Sequence, residues 1–116
     1  MEIVTLTNEN FESEVLQAEG PVLVEFWAPW CIFCRRLSPV LDRLAEKEDF
    51  IPIKKINVDD LPELEDQYDV RVIPTLMVFQ KGEPGERLIA PGSQSRVEKF
   101  VTEEIQAVTE ETETKE

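Results

Sequence analysis

Histidine is absent from the chain, and only two cysteines, Cys31 and Cys34, occur among its 116 residues. Without imidazole there is no histidine general base and no histidine metal ligand. Two cysteines this few and this close cannot staple a secreted disulfide scaffold. Basic residues are scarce too: 12 Lys and Arg stand against 25 Asp and Glu, a formal net charge of −13. Nucleic-acid binding is nearly excluded, because phosphate neutralisation needs a basic face. The same deficit disfavours docking on an anionic membrane surface. No apolar run comes near the ~20 residues that span a bilayer. The opening Met1-Glu2-Ile3-Val4-Thr5-Leu6-Thr7-Asn8 turns polar too early for a secretory leader. The expectation is a cytoplasmic, monomeric protein.

What is present is enough for one domain: 41% of residues are apolar and 32% charged. Ile3–Leu6 reads as a short strand, followed by capping residues Thr7, Asn8 and Asn10 and a helix with Phe11 and Val15 on its apolar face. Gly20-Pro21 ends that helix. Residues 22–28, Val-Leu-Val-Glu-Phe-Trp-Ala, form a nearly continuous apolar run, as expected of a strand covered on both faces. Leu37, Val40, Leu41 and Leu44 mark the next helix, with Pro39 inside it as an expected kink. Ile51–Val58 reads as a strand completing a right-handed βαβ unit. A short acidic helix over 61–68 follows, then a strand over 72–79. The segment 81–86 is read as a turn into a last strand, 87–90. Ser93 or Ser95 caps a final helix whose stripe is Val97, Phe100, Val101, Ile105 and Val108. From Thr109 to Glu116 no apolar residue occurs, so an acidic, disordered tail is expected there.

The chemistry sits at Trp30-Cys31-Ile32-Phe33-Cys34, where the buried strand feeds a helix start. Cysteines three apart on a first helical turn lie close enough for a disulfide. Free amides and the helix dipole favour negative charge there, so Cys31 is expected to ionise readily and act as nucleophile. Cys34, one turn inward, would resolve. A zinc site is the competing reading, but such sites usually take four Cys or His ligands and this chain offers two. A third reading is an inert disulfide.

The run Val22-Leu23-Val24-Glu25-Phe26-Trp27-Ala28-Pro29-Trp30-Cys31-x-x-Cys34 resembles the active-site segment of thioredoxins. Val70-Arg71-Val72-Ile73-Pro74-Thr75 is similar to the family's cis-proline segment. Lys55-Ile56-Asn57-Val58-Asp59 and Pro91-Gly92-Ser93 match two more landmarks in order and spacing. The resemblance covers residues 1–108 and implies an α/β thioredoxin fold, a central mixed five-stranded sheet flanked by four helices. It implies a protein-disulfide reductase using the Cys31/Cys34 couple, with no bound cofactor and no metal. Implied partners are disulfide-containing proteins and a reductase of the thioredoxin reductase type. By the same resemblance Glu25 would relay the proton of Cys34, with Lys55 as its partner; alternatively the two form a buried pair of structural meaning only. The Ile73–Pro74 bond would be cis, or else Pro74 is an ordinary trans proline opening an edge strand. Trp30, Ile73 and Gly92, with Phe33 beside them, would form an apolar patch around an exposed Cys31 sulfur, where substrate is received. Gly92 would let a substrate backbone approach, or merely serve its turn.

Three departures stand out. Ile32-Phe33 replaces the Gly-Pro usual between the cysteines of thioredoxins, which implies a more oxidising couple. Arg35, four residues after Cys31, would support a thiolate there or be a solvated charge. Val72 replaces a common glycine before Ile73-Pro74. Two rival functions follow: an oxidase or isomerase with the same chemistry, and a non-catalytic thioredoxin-fold adaptor or holdase. Reduction potential separates the first, and partner binding that survives loss of both cysteines separates the second.

Overall fold

A computed structural model describes residues 1–114, with side chains through residue 108. Five strands form one sheet in the order β1-β3-β2-β4-β5: β1 (Val4–Thr5), β2 (Val22–Trp27), β3 (Ile53–Asn57), β4 (Thr75–Gln80) and β5 (Glu83–Ile89). β3 runs parallel to both β1 and β2, whereas β4 is antiparallel to β2 and to β5. The sheet is therefore mixed, with a βαβ half and a hairpin half. Four helical segments flank it: a π-helical turn (Glu12–Leu16), α1 (Ile32–Ala45), α2 (Pro62–Gln67) and α3 (Gln94–Thr114).

Period-two alternation in β2 explains how one strand serves two cores. Val22, Val24 and Phe26 point to a cluster with Phe11, Val15, Ile56, Leu64 and Phe79. Leu23 points to the opposite cluster, built from Leu37, Leu41 and Leu44 of α1, Val97, Phe100 and Val101 of α3, and Leu76, Val78 and Leu88. The apolar continuity of 22–28 has this cause. Glu25 shares the second face with Leu23 and so lies under α1.

Local chemistry sets the ends of the elements. Thr7 and Asn10 close the first turn reciprocally, with the Thr7 N–H donating to Asn10 Oδ1 at 2.7 Å and the Asn10 N–H to Thr7 Oγ1 at 3.2 Å. The helix expected after them is a single π-turn, in which the Gln17 N–H reaches Glu12 O at 2.8 Å. Pro39 lies inside α1 without ending it, although it removes one i→i−4 bond. Ser93 rather than Ser95 caps α3, accepting from the Arg96 N–H at 3.2 Å.

β4 begins at Thr75 rather than 72, and β1 and β3 are shorter than expected at both ends; two boundaries differ more. β5 begins at Glu83, not 87, because the turn is only Lys81-Gly82, both with positive φ (54° and 79°), the two-residue hairpin geometry that suits strand twist. Pro84 and Gly85 looked like turn residues but sit on an edge strand, where proline is tolerated. α3 also continues through Thr114, past the boundary expected at 108. No Gly or Pro follows Gly92 to stop it, and its Glu residues favour helix. Residues 115 and 116 lie outside the described residues.

Candidate active site

Strand direction brings four segments to one end of the sheet. β2 finishes at Trp27 and passes through Ala28-Pro29-Trp30 into α1. Trp27 is in register with Asn57, so the segment after β3 lies at that end too. β4 is antiparallel to β2, and Phe26 faces Thr75, which places Ile73-Pro74 beside the start of α1. Thr75 in turn faces Ile89, and the Ala90 N–H donates to Pro74 O at 2.9 Å, which brings Pro91-Gly92 alongside. Ligand sites of open α/β sheets form at the carboxyl ends of parallel strands in this way.

Cys31 is the N-cap of α1, with extended backbone (φ −85°, ψ 116°). Its Sγ accepts the backbone N–H of Cys34 at 3.2 Å, one of the helix-start amides that otherwise lack partners. The same sulfur donates to the carbonyl of Ile73 at 3.7 Å, and the Ile73–Pro74 peptide is cis. The cysteines are free thiols. Cys34 is 3% exposed; burial first, then its hydrogen bond to Cys31, then the charges of Cys31 and Glu25 push its thiol up to about 12. An open sulfur at position 31 was expected, and this is corrected: Cys31 is only 6% exposed. Its neighbours are not. Trp30, Ile32, Phe33 and Val72 are each at least half exposed, so the thiol lies at the floor of an apolar rim. The N-cap conformation turns the side chain back over its own helix, which accounts for the burial.

Glu25 is 1% exposed. Lys55, its register partner on β3, holds Nζ 3.7 Å from Oε1. That is ion-pair range but beyond a hydrogen bond, and neither carboxylate oxygen has a hydrogen-bond partner among the described residues. Burial lifts the acid to about 7, outweighing the lowering effect of the Lys55 charge. The Lys55 ammonium also lies 4.6 Å from the centre of the Trp27 ring, a cation–π arrangement. Trp27 is half-buried against the core, and its Nε1 is buried with no hydrogen-bond partner among the described residues.

Of the remaining expected residues, Trp30 is on the rim and its indole N–H donates to both oxygens of Asp59, at 3.3 and 3.1 Å. Gly92 is exposed, its φ is not in the left-handed region, and a Cβ added there would meet nothing within 4 Å. Neither space nor backbone demands glycine at that position. Arg35 is exposed; its backbone N–H donates to the Cys31 carbonyl at 3.1 Å, but its side chain makes no hydrogen bond to Cys31 among the described residues. Asp59 was missed as a site residue, since it opens an acidic run and nothing local marks it out. Arg36, the basic residue next to Arg35, holds its guanidinium 5.6 Å from the centre of the Phe33 ring, a contact that the sequence did not announce. No group of His, Cys, Asp and Glu side chains able to hold a metal ion occurs among the described residues, and no helix there is long and apolar enough to cross a membrane.

Comparison with known proteins agrees with this geometry. The family model "Thioredoxin" matches residues 2–103. The chain is 42% identical to the thioredoxin of Porphyra purpurea over 106 residues, covering 90% of this chain and 99% of that one. It is 39% identical to the thioredoxin of Alicyclobacillus acidocaldarius over 104 residues, or 89% and 98% of the two chains. It is 47% identical to thioredoxin 1 of a Nostoc species over 79 residues, or 67% and 74%. With a helix-capping cysteine, a second buried one a turn away and matches of this length, the chain belongs to the thioredoxin family and is a thiol–disulfide oxidoreductase.

Proposed function

We propose that the chain reduces disulfides in protein substrates, with Cys31 attacking and Cys34 resolving. The observation that carries this is the sulfur of Cys31 at the N-cap of α1, met by the Cys34 N–H. A thiolate there faces the positive end of the helix and a ready donor. It attacks one sulfur of the target disulfide, the S–S bond breaks, and the other half leaves as a thiolate that takes up a proton. The Cys34 proton passes to the Glu25 carboxylate, directly or through water. Cys34 then attacks Cys31, forms the internal disulfide and releases the second half of the target. Two electrons move to the substrate, and a reductase of the thioredoxin reductase type returns them. The two sulfurs carry the electrons, so no bound cofactor is needed. An acid near 7 buried under α1 is suited to take and return a proton at neutral pH. The protein acts as a monomer in the cytoplasm, where such a pair is kept reduced. Turbidity from insulin reduction with dithiothreitol tests the chemistry: the protein accelerates it and Cys31→Ser does not. Equal acceleration by that variant contradicts the reading.

A second reading, an oxidase or isomerase, is favoured by Ile32 and Phe33, which are 50% and 56% exposed between the cysteines. Reference potentials for the fold run from about −270 mV for thioredoxin itself to about −120 mV for a strongly oxidising relative. Equilibration with glutathione is expected to place this couple above the thioredoxin reference. A value at or below it leaves the reductase alone standing.

A further inference from the structure

Among the described residues Arg36 is a cation with no carboxylate in ion-pair range. Acids outnumber bases about two to one in this chain, and most of its other placed cations are engaged. Lys47, Lys54, Lys55 and Arg71 pair with Glu98, Glu14, Glu25 and Asp69. Arg87 donates to the carbonyls of Tyr68 and Asp69, and Arg43 to Gln94. The exposed guanidinium of Arg36 has the Phe33 ring as its described contact. It lines a groove of about 250 Å³ with Phe33 and Val40 of α1 on one wall and Pro91 and Gly92 on the other. Phe33 lies two residues from Cys31, and Gly92 opens on the same end of the sheet. The groove therefore opens at the same end of the sheet as the reactive thiol, with Phe33 and Gly92 on the side nearer to it.

We propose that this groove selects disulfide substrates carrying an acidic side chain in the segment that flanks the target cystine, with Arg36 as the residue that reads the charge. The inference rests on the dithiol chemistry proposed above. A segment crossing Cys31 and continuing past the bare backbone of Gly92 runs into the groove. Its apolar stems lie against Phe33, Val40 and Pro91, and a carboxylate meets the planar guanidinium, which presents two parallel donors. Stacking on Phe33 holds that fork in place and lowers the ordering cost of the contact. The preference runs against the field of the whole molecule. A net charge of −13 attracts basic substrates at long range, so an acidic preference has to come from a local contact.

The test uses four short peptides, two acidic, one neutral and one basic, each joined through a single cysteine to a chromogenic thiol and differing only in the residues that flank the cysteine. Acidic residues are placed in separate peptides on the N-terminal and C-terminal sides. Initial rates are followed with dithiothreitol recycling the protein. In one of the two acidic registers kcat/KM is expected to exceed the neutral value about threefold, the scale of an exposed ion pair. The gain is expected in KM rather than kcat, and Arg36→Gln brings the acidic-to-neutral ratio to about one. Equal rates for acidic and neutral peptides overturn the proposal, as does a preference that survives Arg36→Gln or a preference for the basic peptide. No turnover of any peptide refutes the dithiol chemistry and this inference together.

Discussion

Glu25 carries the largest conflict between place and chemistry. Its carboxylate lies under α1 with no hydrogen-bond partner among the described residues, and Lys55 at 3.7 Å offsets only part of the cost. The folded chain therefore holds this proton up to about 7, whereas the ordinary value is 4.5. Between those limits the folded state binds more proton than the unfolded one, so stability falls as pH rises. Above the window the full penalty remains, about 3 kcal/mol for a shift of this size. Denaturant unfolding of wild type and Glu25→Gln from pH 4 to pH 9 checks it: the wild-type curve declines through the window relative to the variant. Parallel curves contradict it. The burial of this acid was legible in the sequence, because a Glu within the apolar run Leu23-Val24-Glu25-Phe26 belongs to a strand covered on both faces, out of reach of water. The burial of Cys31 was not, since spacing places a cysteine on a helix start without saying which way its side chain turns.

Among the elements, α1 holds the site to the sheet. Leu37, Leu41 and Leu44 are buried on the β2–β4 face, and Leu41 and Leu44 are 0% exposed. Their spacing was readable from the sequence because a 3.6-residue period leaves little choice of face. Leu41→Ala removes a fully enclosed side chain and is expected to cost about 2–5 kcal/mol. Chemical denaturation reads that loss, and a change below about 0.5 kcal/mol would mean that α1 is not anchored there. The hairpin half was harder to read. Pro84 and Gly85 carry turn chemistry, yet an edge strand absorbs both, and Glu104 of α3 reaches across to accept the Glu86 N–H at 2.8 Å. Only tertiary contact decides such a boundary. α3 shows the same limit at its far end, where the apolar stripe stops before the helix does.

At the scale of the whole molecule, a mixed sheet converts four separate motifs into one site. The Cys31 segment, Asn57–Asp59, Ile73-Pro74 and Pro91-Gly92 are spread over more than 60 positions but meet because β4 runs against β2, and β5 against β4. The order of those motifs was visible along the chain. The pairings that only geometry supplies were not: Trp30 with Asp59, the Ile73 carbonyl with the Cys31 sulfur, and Arg36 with Phe33. Each joins residues that no local pattern links, or links them through side-chain rotamers that a sequence does not fix. The division of labour between the two cysteines is tested most directly by trapping. Cys34→Ser removes the resolving thiol, so incubation with a disulfide substrate is expected to leave the substrate's half-cystine bound to Cys31, as read by intact mass and peptide mapping. No adduct in that variant, or an adduct on Cys34 when Cys31→Ser is treated the same way, would contradict the assignment.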